Sequence, residues 1–194
     1  GGRMLNSISY ILIAVRFILG PLLFLDAYDG DTGAWFLIGL VFGFLSDIFD
    51  GLIARRQHTV TAQLREMDGR VDVWFFIWIA ASAWKTHPET IVAYRIPLLA
   101  ALGLQVLAWM IDWVKYRRFS NYHAYSAKAF GLSIFATTVL WFSYKPVNIL
   151  MWCVIVFGLV CMLEEIAITL LLPRWMYDVP SIFHAIRIRE HSNE

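Results

Sequence analysis

Four aspartates carry the clearest chemical signal in the chain. Asp47 and Asp50 are three residues apart, and Asp68 and Asp72 are four apart. On a helix, both spacings put the pair on one face. Four mutually repelling carboxylates in an apolar setting need cations. Hard divalent ions with oxygen ligands suit them best, which means Mg²⁺ or Mn²⁺, with Ca²⁺ as an alternative occupant. No His or Cys shares these faces and His58 lies in the turn between them, so zinc is not expected. The competing reading is a structural ion-pair network with Arg55, Arg56, Arg65 and Arg70. Beside Asp50, Gly51 and Ala54 leave the helix surface bare, and glycine lets a ligand approach the backbone. Arg55 follows, with a planar fork suited to phosphate. Metal ligands, a bare patch and an arginine together suggest a phosphorylated ligand. Two bound metals would permit in-line displacement at phosphorus.

The elements that position these residues belong to a bilayer. Of 194 residues, 59% are hydrophobic and 16% charged, against about 45–50% and about 25% in soluble domains. Mean hydropathy is +0.61. A free-standing soluble domain, a disordered chain and a low-complexity fibre are all disfavoured. A net charge of +1 gives no support to nucleic-acid binding. Six segments are long enough to cross about 30 Å of hydrocarbon: Leu5–Leu25, Gly33–Arg55, Ala62–Trp84, Ile91–Val114, Tyr122–Phe142 and Val147–Leu172. Polar turn residues separate them at 26–33, 85–89 and 143–146. The expected fold is an all-α membrane protein: one domain over 1–194, with six transmembrane helices, a cytoplasm-facing polar cavity and a short surface C-terminal tail. Gly1, Gly2 and Arg3 precede Met4 and read as appended residues. No cleavable signal is expected, because no small-residue cleavage site follows the first apolar run. Cys153 and Cys161 are eight residues apart on one helix, about 12 Å, too far for a disulfide.

Basic residues set the expected orientation. Arg55, Arg56, Arg65, Lys115, Arg117, Arg118, Arg174, Arg187 and Arg189 fall on one side of the six spans. Lys85, Arg95 and Lys145 fall on the other, so both termini are expected in the cytoplasm, in a prokaryotic inner membrane. The tail from Ile182 to Arg189 mixes apolar and basic residues in a way that suits a membrane surface. Charges within spans cost roughly 2.5–3.5 kcal/mol each and call for a reason. Besides the four aspartates they include Arg16, Lys128, Glu164 and Glu165. The turn at Gln57–Thr61 is short, so the second and third spans are expected as antiparallel neighbours, with their carboxylates converging across one contact. Gly39 and Gly43 suggest close helix packing on the second span. A divalent-cation transporter would use the same carboxylates, but it would need polar residues through the far half of the spans, which are mostly Leu, Phe, Trp and Ala.

The run Asp47-Ile-Phe-Asp50-Gly51-Leu-Ile-Ala54-Arg55, followed by Asp68-Gly-Arg-Val-Asp72, resembles the CDP-alcohol phosphotransferase signature D-x2-D-G-x2-A-R-x8-G-x3-D-x3-D. Seven of its eight fixed positions match at the family's spacing. The eighth, a glycine that borders the nucleotide in the family, is Leu64. The resemblance implies that Asp47, Asp50, Asp68 and Asp72 hold two divalent metals and that Asp72 is the general base. It sets Gly51 and Ala54 against the nucleotide and Arg55 near the diphosphate. It implies attack by an acceptor hydroxyl on the β-phosphate of a CDP-linked alcohol, usually CDP-diacylglycerol, with CMP leaving. It also implies a homodimer in the lipid bilayer. A non-catalytic lipid-binding relative is the other reading, raised by Leu64.

The acceptor alcohol stays open among glycerol-3-phosphate, inositol phosphate, serine and other polar alcohols. An anionic acceptor would want cations, and the candidates are Arg16, Lys115, Arg117, Arg118, His123 and Lys128. Arg16 could instead neutralise an aspartate. Glu165, with Glu164, could bind a cationic or polyhydroxy acceptor, or pair with Lys128.

Overall fold

In a computed structural model, residues 2–56, 62–120, 122, 124–145 and 147–191 are described. All the regular structure among them is helical: α1 (Gly2–Asp26), α2 (Ala34–Arg56), α3 (Ala62–Thr86), α4 (Pro88–Ala93), α5 (Arg95–Tyr116), α6 (Tyr125–Ser143), α7 (Asn148–Leu171) and α8 (Ile182–His191). The chain divides into two compact units, Gly1–Ala93 and Tyr94–Glu194. Among the described residues, three helices are long and apolar enough to cross a membrane, at Ile8–Asp26, Arg95–Tyr116 and Asn148–Leu171. A shorter apolar stretch runs over Ala34–Phe49. The composition and these helices are those of an integral membrane protein.

In the first unit, α1 packs against both α2 and α3, and these are its broad contacts among the described residues. As expected from the sequence, α2 also meets α3, where Asp47 converges with Asp68 and Asp72. The α2–α3 contact runs through aromatic side chains: the rings of Phe75 and Phe76 meet that of Phe44 at 6.2 and 5.8 Å. Gly39 and Gly43 make the close approaches possible. A Cβ at Gly39 would lie 2.7 Å from Leu23 Cδ2 of α1, and one at Gly43 would lie 2.5 Å from Phe75 Cζ of α3. The two glycines thus serve two different neighbours.

Pro21 lies inside α1. A proline has no N–H, so the carbonyl four residues earlier loses its helical partner. That carbonyl belongs to Phe17, and Trp74 Nε1 of α3 donates to it at 3.0 Å. The Phe17 and Trp74 rings also stack, with centroids 5.1 Å apart. A hydrocarbon interior offers no water to satisfy such a group, so this bond fixes how far α3 can slide along α1.

The fourth expected span, Ile91–Val114, is interrupted. α4 ends at Ala93, Tyr94 takes a non-helical φ of −98° and ψ of 13°, and α5 starts at Arg95. Pro97 supplies the reason. Its ring would clash with the Ala93 carbonyl in a continuous helix, but it is tolerated in the first turn of a new one.

In the second unit, α7 packs against α5, α6 and α8. Gly158 brings α7 close to Phe130 of α6, whose Cε2 would be 2.9 Å from an added Cβ. Tyr122, Ala124, Ile168, Leu172, Val179 and Ala185 form a buried cluster where α7 ends. The C-terminal tail is therefore a docked helix. Ala185 is fully buried, Ile182 and Ile188 pack on the same cluster, and Glu164 accepts a hydrogen bond from the Ile182 N–H that opens α8.

Candidate functional site

The acidic residues come together in the first unit. One carboxylate oxygen from each of Asp47, Asp68 and Asp72 lies within 4.8 Å of the others. Asp47 comes from α2 and the other two from α3, where the four-residue spacing stacks them one turn apart. Arg16 of α1 reaches all three. Its Nη1 donates to Asp47 Oδ1 at 3.0 Å and also to Asp72 Oδ1, and its Nη2 donates to Asp68 Oδ1 at 3.1 Å. The sequence left two roles open for Arg16, phosphate binding or neutralising an aspartate. The geometry shows contact with three aspartates from within the fold, since Arg16 is 1% exposed.

Exposure is graded across the cluster. The Asp68 side chain is 8% exposed, that of Asp72 is 27% and that of Asp47 is 46%. Asp68 is thus the anchor, while Asp47 and Asp72 face the open side. Arg16 engages Oδ1 of Asp72, and its Oδ2 carries no hydrogen bond among the described residues. Oxygens bound to one hard divalent ion at about 2.0–2.6 Å lie at most about 4–5 Å apart. Three carboxylate oxygens within 4.8 Å therefore fit such an ion with small adjustments, and they offer no soft ligand.

Of the competing ion-pair reading, only Arg70 can be followed, and it does not join the acidic cluster. Arg70 Nη2 pairs with Glu66 at 2.6 Å on the exposed side of α3. Among the described residues, the cation that meets the cluster comes from α1. Asp50, Gly51, Ala54 and Arg55 lie on the backbone of α2, but their side chains fall outside the described part, as does that of Arg65. The turn at 57–61 and His123 also lie outside the described residues. Leu64 is 5% exposed in the first turn of α3, so where the family pattern has glycine, this chain has a packed aliphatic side chain.

The other candidates lie in the second unit. Lys128 is exposed, with Nζ 5.2 Å from the Tyr125 ring centroid, and it makes no ion pair with Glu164 or Glu165. Glu164 instead caps α8, and Glu165 lies against Cys161, whose Sγ is 3.9 Å from Oε1. Arg117 is exposed and ends α5 in the left-handed conformation, φ 56°. Lys115 Nζ donates to the carbonyls of Thr169, Leu170 and Leu172 at 2.6, 3.0 and 2.8 Å. That lysine closes the carbonyl end of α7.

Sequence reasoning overlooked Asp112, a buried carboxylate in α5 that is 5% exposed. Thr169 Oγ1 donates to its Oδ1 at 2.8 Å, and the Ser120 N–H donates to its Oδ2 at 2.8 Å. The Tyr122 hydroxyl lies 2.8 Å from Thr169 Oγ1. Burial pushes the Tyr122 phenol above its ordinary pKa, so it stays protonated and can donate into the chain. The signal was present in the sequence: a lone aspartate four residues inside the end of an apolar helix.

No curated protein and no solved structure matches the chain. A family model does match. The description for CDP-alcohol phosphatidyltransferase covers residues 6–177, running through both units and including every aspartate of the cluster. The spacing of acids on α2 and α3, their convergence and this match agree, and the chain belongs to the CDP-alcohol phosphatidyltransferase family.

Proposed function

We propose that the protein transfers a phosphatidyl group from CDP-diacylglycerol to the hydroxyl of a small polar alcohol, releasing CMP, as a step of phospholipid synthesis. The observation that carries this reading is the convergence of Asp47, Asp68 and Asp72 within 4.8 Å in a chain of this family. In the proposal α1, α2, α3, α5, α6 and α7 are the six spans of one membrane domain, with both termini cytoplasmic.

Asp47, Asp68 and Asp72, with Asp50 by its place in the signature, would hold two divalent ions, Mg²⁺ or Mn²⁺. Such ions, when bound, offset charge on the diphosphate and on departing CMP. The protein's own residues do the rest. Asp68 is buried against Arg16 and keeps the cluster in place. Asp72 is the general base: its Oδ2 is available, and its exposure lets a hydroxyl come within hydrogen-bond reach. As the acceptor oxygen bonds to the β-phosphorus, its proton passes to Asp72. The bond from that phosphorus to the bridging oxygen breaks, and CMP leaves with the bond's electrons. Gly51 and Ala54 give the nucleotide room, and Arg55 binds the diphosphate. Lys128, Arg117, His123 and Glu165 are the residues to vary in a search for acceptor contacts, with glycerol-3-phosphate as the first acceptor to try.

Purified protein in detergent should release CMP from CDP-diacylglycerol with Mg²⁺ or Mn²⁺ and one member of an alcohol panel. Mass spectrometry of the lipid product identifies the acceptor. Absence of CMP release with every acceptor, combined with no stabilisation by CMP or CDP-lipid, would favour a non-catalytic relative.

A further inference from the structure

An aspartate does not fix the direction of its own oxygens. Its last torsion is broad and roughly two-fold, so in an apolar helix the two oxygens point where their partners hold them. In the first unit one side chain does the holding for three acids. Arg16 Nη1 meets Oδ1 of Asp47 on α2 and Oδ1 of Asp72 on α3, so a single nitrogen ties acids from two helices. Nη2 meets Oδ1 of Asp68, one turn before Asp72 on α3. The guanidinium is planar and its donors keep a fixed spacing, so the three carboxylates are oriented together. The level of Arg16 is itself set next door, where Trp74 bonds to the Phe17 carbonyl.

Burial says from which side the fork arrives. Arg16 and Asp68 are buried, whereas Asp47 and Asp72 are the more exposed members. An incoming ion or hydroxyl therefore reaches the acids from the side away from the guanidinium, and Arg16 need not leave for it to enter. The charge balance separates this role from plain neutralisation. One guanidinium against three carboxylates leaves negative charge in excess, so the cluster still attracts a divalent ion. A cation that only neutralised the acids would oppose that ion, and its removal would tighten metal binding. A group that orients the ligands acts in the opposite sense, because partners behind metal ligands typically contribute roughly 10–100-fold to metal affinity.

We propose that Arg16 is a positioning residue of the acidic cluster: it holds one oxygen each of Asp47, Asp68 and Asp72 from the buried side and so fixes the directions in which these acids present themselves to divalent ions. The inference rests on the reading of the cluster as a metal centre. It assigns to the fork of Arg16, and not to its charge alone, the arrangement of ligands drawn from two helices.

The test is Mn²⁺ binding to the full chain in neutral detergent, followed by electron paramagnetic resonance with no lipid substrate present, so that turnover plays no part. Arg16→Lys keeps the charge and loses the fork. It should bind Mn²⁺ about 10-fold more weakly than the parent, and the bound-ion spectrum should broaden as the ligands lose their fixed directions. Arg16→Gln removes the charge as well, which alone would strengthen binding, yet it too should bind more weakly than the parent. The lysine variant keeps a counter-charge among the acids, so it decides the matter even if the glutamine variant does not fold. Parent-like affinity and an unchanged spectrum in Arg16→Lys would overturn the proposal, as would tighter binding in Arg16→Gln. Asp47→Asn and Asp68→Asn address the metal reading separately. Parent-like Mn²⁺ binding in both would remove the ion from this cluster, and the proposal with it.

Discussion

Trp74 Nε1 of α3 donates to the Phe17 carbonyl of α1 at 3.0 Å, filling the place that Pro21 leaves empty. Phe17 is next in the chain to Arg16, and Trp74 lies two residues beyond Asp72. The bond therefore sets the level at which Arg16 meets the acids of α3. Trp74→Phe keeps an aromatic ring against Phe17 but leaves a carbonyl unsatisfied. It should cost about 1–3 kcal/mol, measured by reversible unfolding in detergent. Pro21→Ala restores an N–H to that carbonyl, so Trp74→Phe should cost distinctly less in that background. Equal costs in both backgrounds would show that the hydrogen bond does not set the register.

Arg16 is the counter-charge of three carboxylates. Replacing it with Gln leaves those acids to repel one another, with the buried Asp68 losing its guanidinium partner. Removing one partner of a buried ion pair typically costs about 3–5 kcal/mol. Arg16→Gln should therefore unfold much more readily than the parent without divalent metal, and Mn²⁺ should recover part of the loss. Arg16→Lys, which keeps the charge but lacks the fork that spans several acids, should fall between the two. Unfolding midpoints with EDTA and with Mn²⁺ measure both effects.

The two halves of this arrangement were unequally legible in the sequence. Asp47, Asp68 and Asp72 announced themselves, because carboxylates are rare in apolar helices and their spacing forces a common face. Their counter-ion did not. Arg16 is visible as a charge in a span that could neutralise an aspartate, but nothing local says which helices it faces. The packing of α1 against both helices is set by Gly39 against Leu23 and by the Trp74–Phe17 bond, which are long-range choices. The break at Tyr94 was encoded locally by Pro97, yet the apolar run from Ile91 masked it. Asp112 was hidden for the opposite reason. It sits near a helix end, where an aspartate reads as ordinary, and only the fold brings Thr169 and Ser120 onto it.

Asp72→Asn tests the assignment of the base. Asparagine preserves shape but takes up no proton, so CMP release with the true acceptor should fall by about 10²–10⁴-fold. Affinity for CDP-lipid, followed by thermal shift with Mn²⁺ present, should change much less. Turnover near the parent rate would remove Asp72 from the proton transfer.

Gly43 and Gly39 make opposite demands on their neighbours, although both added Cβ atoms would be too close. At Gly43 the obstacle is Phe75, which is 2% exposed and packed against Phe44 and Phe76. At Gly39 the nearest atom is Leu23 Cδ2, the far end of a flexible side chain. Gly43→Ala should destabilise by about 1–3 kcal/mol through overpacking. Gly39→Ala should cost less, because Leu23 can turn away. Unfolding midpoints of the two variants, measured side by side, check the order.

Thr169 holds the segment between α5 and α6 in place by two bonds at one hydroxyl. It donates to Asp112 and lies within hydrogen-bond distance of the Tyr122 hydroxyl. Thr169→Val keeps the shape and removes both contacts, leaving one oxygen of a buried carboxylate without its donor. Such a loss costs about 1–3 kcal/mol, and it falls first on the local segment and only then on the whole fold. Thr169→Ser retains the hydroxyl and should stay close to the parent. Hydrogen exchange should therefore quicken in the backbone of residues 117–120 in the valine variant, where the Ser120 N–H bond to Asp112 is part of the same network. Exchange there should be little changed in the serine variant. If exchange is equally fast in both, Asp112 is held by its remaining contacts, and the network does not order the segment that carries Arg117 and Arg118.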